Sequence, residues 1–158
     1  MLVDDGGSLS ELEGKIMASA QRSRSAYFSV ADAVSKLGNN AGEAFGNNMD
    51  QIIAFSELVN KQFVLSGATA QEQAAAMLQL TQAMGSGVLR GDELNSIFEQ
   101  APGLIRNIAD YMGVSVGQIR ELASEGEITA DIVKNAMFSA ADEINAKFDQ
   151  MPKTWGQI

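Results

Sequence analysis

From Met49 to Phe148 the chain repeats one pattern. A side-chain capping signal opens a segment, apolar residues follow three and four apart, and glycine closes it. Met49, Ile52, Phe55, Val59 and Phe63 form one such stripe. Leu58 and Leu65 widen it, so the helix over 49–66 is expected to be central. Thr69 with Glu72 is a capping box, and Met77, Leu80 and Met84 follow among alanines. Asp92 reads as the N-cap of a helix that buries Leu94, Ile97 and Phe98. Pro102 suits the first turn of the next, with Leu104, Ile105, Ile108 and Met112 as its stripe. Ser115 with Gln118 is another capping box, ahead of Ile119 and Leu122. Thr129 then opens what reads as one long helix, striped by Ile132, Val133, Ala136, Met137, Ala140, Ile144 and Phe148. Ile132, Met137 and Ile144 are expected in the core.

Upstream, residues 8–37 are helical but more polar. Ser8 with Glu11 and Ser10 with Glu13 offer capping boxes, and Leu9, Leu12, Ile16 and Ala20 make a thin stripe. A break is expected near Arg22 and Arg24. Tyr27, Phe28, Val30, Ala31, Val34 and Leu37 carry the next stripe, stopped at Gly38-Asn39-Asn40 and again at Gly46-Asn47-Asn48. No alternating strand pattern of any length occurs. The expectation is an all-α fold: a compact bundle of about six or seven helices, with no sheet.

Composition narrows the chemistry. A chain of 158 residues suits one domain. With no cysteine and no histidine, disulfides, thiolate nucleophiles, imidazole bases and Cys/His zinc sites are all excluded. The longest apolar run, Ala74 to Leu78, falls far short of the ~20 residues of a membrane-spanning helix. Residues Met1 to Gly7 have neither the basic start nor the apolar stretch of a signal peptide.

Carboxylate pairs remain as acid–base candidates: Asp92/Glu93 and Glu121/Glu125. The plainer reading puts the first pair at a helix start, where negative charge suits the macrodipole, and the second on a solvated face. The run Gly85 to Gly91 is glycine-rich, but it lacks a Gly-Lys-Ser ending and follows no strand, so it reads as a linker. Met112 to Ala123 mimics a helix-turn-helix, in which Gln118 and Arg120 would face bases. Its alternative is a plain helical hairpin. Glu121, Glu125 and Glu127 surround the one arginine, and phosphate contacts supply most DNA affinity.

Two blocks carry a resemblance. Leu78 to Pro102 reads LQLTQAMGSGVLRGDELNSIFEQAP, and Ile108 to Asp131 reads IADYMGVSVGQIRELASEGEITAD. Both closely resemble successive blocks in tape measure proteins of tailed bacteriophages and prophages. Met151 to Gln157, MPKTWGQ, is similar to that family's exit from a folded domain into long helical rod. The likeness covers roughly 55–157 and is less distinct over 1–48. It implies one structural domain of a large virion protein that sets tail length and acts in tail assembly through protein contacts. The implied partners are tail assembly chaperones, tail tube subunits and tail-tip proteins, with self-association also open. No cofactor, catalytic residue, specific nucleic acid or membrane contact is implied for this segment. The implied place is the lumen of the virion tail tube, and the bacterial host cytoplasm during assembly.

On this reading residues 1–7 are a disordered end, 8–150 a single helical domain and 151–158 an exit segment. Arg90, Gly91, Asp92, Glu93, Glu99, Pro102 and Trp155 are the family-motif positions, structural or partner-facing. In the Arg90–Glu93 stretch, either a partner meets the turn, or Gly91 frees the backbone and Asp92 caps a helix. The lone Trp155 either folds back on the body or stays partly exposed where a longer chain continues. The resemblance favours the second. A helix-turn-helix nucleic-acid binder and a piece of a cell-wall hydrolase are the competing readings.

The chain's charge sets a first test. At −9, with acids beside Arg120, no specific binding to duplex DNA is expected at physiological salt. Fluorescence anisotropy with labelled duplexes checks this. Sub-micromolar affinity that weakens steeply with salt would promote the helix-turn-helix reading.

Overall fold

A computed structural model describes residues 6–24 and 27–151. Among them the order is α1 (Gly6–Arg22), α2 (Tyr27–Ala41), a 3-10 turn (Gly42–Phe45), α3 (Met49–Leu65), α4 (Ala70–Ser86), α5 (Gly91–Gln100), α6 (Pro102–Met112), α7 (Val116–Ser124), α8 (Ala130–Ser139) and α9 (Ala141–Gln150). The all-α reading holds, but the described residues contain nine α-helices, not six or seven.

The expected break falls between α1 and α2, and a stretch read as one helix near the C-terminus is also divided. After α1, Arg24 adopts φ 55, a left-handed conformation that side chains rarely take. There the Ser23 hydroxyl donates to the Ser19 carbonyl at 2.8 Å, turning the chain. The long C-terminal stretch bends at Ala140, whose amide is shared between the carbonyls of Ala136 (3.1 Å) and Met137 (3.2 Å). The apolar period runs on through the bend, so the sequence hides it. Packing explains the break: α8 lies mainly on α6, and α9 on α3.

The other boundaries follow local chemistry. Thr69 and Ser115 each accept from the amide three residues on, while Glu72 and Gln118 reach back. Thr129 accepts from the Ile132 amide at 3.3 Å. Asn48 caps α3 through the Gln51 amide. The expected stop at Gly38 to Asn40 does not occur. There the Asn40 side chain donates to the Lys36 carbonyl at 2.9 Å, and α2 continues to Ala41. The left-handed turn comes later, at Gly46 (φ 60) and Asn47 (φ 56).

One core cluster draws on every helix, from Leu12 of α1 to Ile144 of α9. α3 lies at its centre and packs against α1, α2, α8 and α9. Phe55 meets Phe45 and Phe138 edge to face, with ring centroids 5.1 and 6.5 Å apart. α2 and α4 form the closest pair: a Cβ on Gly85 would lie 2.7 Å from the Asn40 carbonyl oxygen. The glycine-rich connector is also fixed. Val88 and Thr129 form an isolated bridge, the Leu89 amide donates to Ile128 at 2.7 Å, and the Ala130 amide to Gly87 at 2.9 Å.

Two expected core positions shift. Met137 and Ile144 are buried, but Ile132 is half-buried and Val133 takes its place. Phe28, read as part of the α2 stripe, points outward and is 83% exposed. The expectations for residues 1–7 and 151–158 fall mostly outside the described residues, Trp155 among them. Of the first, Gly6 and Gly7 begin α1.

Two glycines give opposite expectations. Gly14→Ala adds a Cβ that meets nothing within 4 Å on a helix, so stability should rise by ~0.5–1 kcal/mol. Gly85→Ala drives its Cβ into backbone and should destabilise by more than ~1 kcal/mol. Urea unfolding of both variants measures the difference. A neutral Gly85→Ala would mean that α2 and α4 can separate freely.

Candidate functional site

The motif positions around α5 come first. Arg90, not Asp92, is the N-cap of α5, with extended backbone (φ −91, ψ 171). Its amide donates to Glu93 Oε2 at 2.7 Å, so the Glu93 carboxylate satisfies a free end of the helix. Asp92 stands in the first turn, exposed, where its charge complements the helix dipole. Gly91 is not among the positive-φ glycines, and a Cβ there would meet nothing within 4 Å. The expectation that Gly91 frees the backbone for an Asp92 cap is therefore corrected. Glu99 is exposed at the far end of α5, and half-buried Pro102 opens α6. These residues do not converge. They stand at the two ends of one ten-residue helix.

The helix-turn-helix likeness is also accounted for. α6 ends at Gly113 (φ 71), and α7 begins at Val116. Gln118 spends its carbonyl on the Ser115 amide at 2.8 Å. The Arg120 guanidinium lies over the Phe98 ring, 4.6 Å from its centroid. Both would-be base readers are exposed and already have these partners on the surface. Glu121 is exposed on α7 and Glu125 forms its C-cap.

Sequence reading overlooked a polar network on the buried helix. Glu57 and Lys61 are both buried in α3. Lys61 Nζ donates to Glu57 Oε2 at 3.1 Å and to Asn145 Oδ1 of α9 at 2.7 Å. Arg22, at the end of α1, closes on the same carboxylate through Nε at 3.0 Å and Nη2 at 2.9 Å. Phe148 lies beneath two cations, with Arg24 at 4.6 Å and Lys61 at 5.3 Å from its ring centroid. Burial pushes the Glu57 carboxyl up, but hydrogen bonds from Arg22 and Lys61 outweigh it and hold the group below its ordinary value. A signal was present: an acid and a base four apart inside the most apolar helix. Beside the network a groove opens over Ile53, Ala54, Leu58 and Phe138. A second buried polar pair, Gln62 and Asn107, joins α3 to α6.

The described residues hold no group of three acidic side chains placed to bind a metal. No described helix is long and apolar enough to cross a membrane. What the fold defines is an all-helical protein in which the sequence-flagged polar residues cap helices or lie against neighbouring rings. The family model described as Tape measure protein matches residues 1–158, and the chain belongs to that family of phage tail structural proteins. The match takes in residues 1–48, where the motif likeness is indistinct. No curated protein and no solved structure matches the chain.

The network carries a stability test. Lys61→Ala strands a buried carboxylate and should cost ~3–5 kcal/mol in urea unfolding. Lys15→Ala breaks an exposed, solvent-screened ion pair with Asp50 and should leave the unfolding midpoint nearly unmoved. The sign with pH follows from the lowered Glu57 group. Its contribution is complete above its unfolded value, near 4.5, and is lost as pH falls through the lower folded value. Glu57→Gln should thus flatten the acid limb of the stability profile. An unchanged limb would mean that other carboxylates control it.

Proposed function

We propose that this chain is a structural and assembly domain of a tape measure protein, acting in tail length determination and tail assembly through protein–protein contacts. The observation that carries this is the family match along all 158 residues. The structure supports it from a different direction. The acids flagged as possible catalysts, Asp92, Glu93, Glu121 and Glu125, stand at helix ends or on an open helix surface, not in one cleft. We therefore assign the chain no catalytic step. Residues 8–150 form the single folded domain on this reading, and 151–158 lead out of it.

The surface fits such a role. With 20 acidic and 11 basic residues, the domain repels its own copies and nucleic acid unless a partner offers complementary charge. Tail assembly chaperones, tail tube subunits and tail-tip proteins are the proposed partners. The tail tube lumen is the proposed place, reached from the host cytoplasm during assembly. The helix-turn-helix alternative loses ground, because Gln118 and Arg120 are held by Ser115 and Phe98.

An in-frame deletion of residues 1–158 from the parent phage gene tests the reading. Electron microscopy of the lysate should show heads without tails, or tails of altered length. Normal tails in normal yield would overturn the assembly role.

A further inference from the structure

The ends of α2 and α4 lie side by side, where Gly85 meets the Asn40 carbonyl. A helix C-terminus carries about half a negative charge on its unsatisfied carbonyls, and a lysine or arginine in the last turn commonly answers it. Neither helix has a basic residue in its last turn. Lys36, a turn earlier in α2, pairs with Asp32 at 2.9 Å. The amides that would have continued α4 turn elsewhere. The Leu89 amide donates to Ile128 and the Arg90 amide to Glu93, each at 2.7 Å, so the Gly85 and Ser86 carbonyls lose their helical partners.

Both ends open on one polar groove. Glu43 and Asp131 bring exposed carboxylates to it, and Asn39 and Asn47 bring exposed amides. The Ser86 hydroxyl is turned to the Ala83 and Val88 carbonyls, at 2.9 and 3.0 Å. Groups that would oppose the negative charge are engaged. Lys134 of α8 donates to the Ala44 carbonyl at 3.0 Å and lies 3.6 Å from Asp131. At the start of α8, the Ala130 amide donates to Gly87 and the Ile132 amide to Thr129. Among the described residues no lysine or arginine lines the groove.

We propose that this groove takes an arginine side chain from a partner protein. The proposal rests on the reading of this chain as a domain that works through protein contacts, and it supplies the chemistry of one such contact. A guanidinium carries a full charge and a planar set of N–H donors, so it can bond several carbonyl oxygens at once. A chain of net charge −9 with two uncompensated helix ends on one face is complementary to a basic partner. Size separates a side chain from a bare ion. The groove holds about 720 Å³, whereas calcium needs a tight cage of about six to eight oxygens, and only two carboxylates line this space.

Amide NMR spectra of the isotope-labelled full chain test this, with acetyl-Gly-Arg-Gly-amide as the probe and its citrulline counterpart as the control. Citrulline keeps the shape of arginine and removes the charge. The arginine peptide should shift the Asn39, Gly42, Gly87 and Asp131 signals saturably, and less so as salt rises. The citrulline peptide should bind about tenfold more weakly, having lost its charge-assisted hydrogen bonds. Glu43→Gln with Asp131→Asn should weaken the arginine peptide about threefold, since both carboxylates are exposed and screened. Asn39→Lys sets a base at the end of α2 and should exclude the peptide. In both variants the signals away from the groove should stay in place. No saturable shift, or equal shifts with the citrulline peptide, overturns the proposal. So do shifts centred on Glu121, Glu125 and Glu127, which would mean attraction to any acidic surface. Calcium chloride that saturates the groove and resists displacement by the peptide would make it a metal site and also overturn the proposal. The phage deletion reads the assembly role separately: tails that fail without the domain, with a groove that binds no arginine peptide, would sink the groove alone.

Discussion

α3 is covered by other helices along most of its length, and that constraint organises the structure. It carries Glu57, Asn60, Lys61 and Gln62 into the interior alongside Phe55, Val59 and Phe63. A buried charge or amide without a partner costs several kcal/mol, so Glu57, Lys61 and Gln62 are each answered by a neighbour. Arg22 of α1 answers Glu57, Asn145 of α9 answers Lys61, and Asn107 of α6 answers Gln62. Three helices remote in sequence are thereby held at set positions around one. The Lys61–Asn145 bond and the Phe148 ring under two cations fasten α9 to α3 and to the end of α1.

This arrangement has a consequence for a tail protein. The family to which the chain belongs supplies structural components, and a structural domain must resist distortion without relying on a cofactor or disulfide. Here polar bonds hold α1 and the end of α9 to neighbouring elements. α1 is tied by Arg22 to Glu57, and the end of α9 is tied by Arg24 to Met151. A polar groove lies where the end of α2, the end of α4 and the start of α8 meet.

Much of the fold was legible in local chemistry. The caps at Thr69, Ser115 and Thr129 depend on a side chain and an amide three residues away, so sequence is enough to find them. The same holds for the left-handed glycines at 46, 67, 113 and 126. The helix count was not legible, because the bend at Ala140 leaves the apolar period intact and arises from α8 and α9 packing on different partners. Nor was the Asp92 cap: Asp92 has the right chemistry, but Glu93 reaches the Arg90 amide first and starts the helix earlier. Of the flagged residues, Gln118 and Arg120 changed meaning once their partners were known.

Sequence by itself determined that this chain is helical, where most helices begin, that it lacks imidazole and thiol chemistry, and which family it resembles. Each of these depends on residue identity or on neighbours within a turn. Tertiary structure decided which face of each helix is inside. It sent Phe28 outward and brought Lys61 inward, against their chemical types, because burial depends on what lies opposite and not on the residue alone. It also decided that Arg22, Glu57, Lys61 and Asn145 meet. They span more than a hundred residues of chain, and only the packing of α1 and α9 on α3 closes that distance.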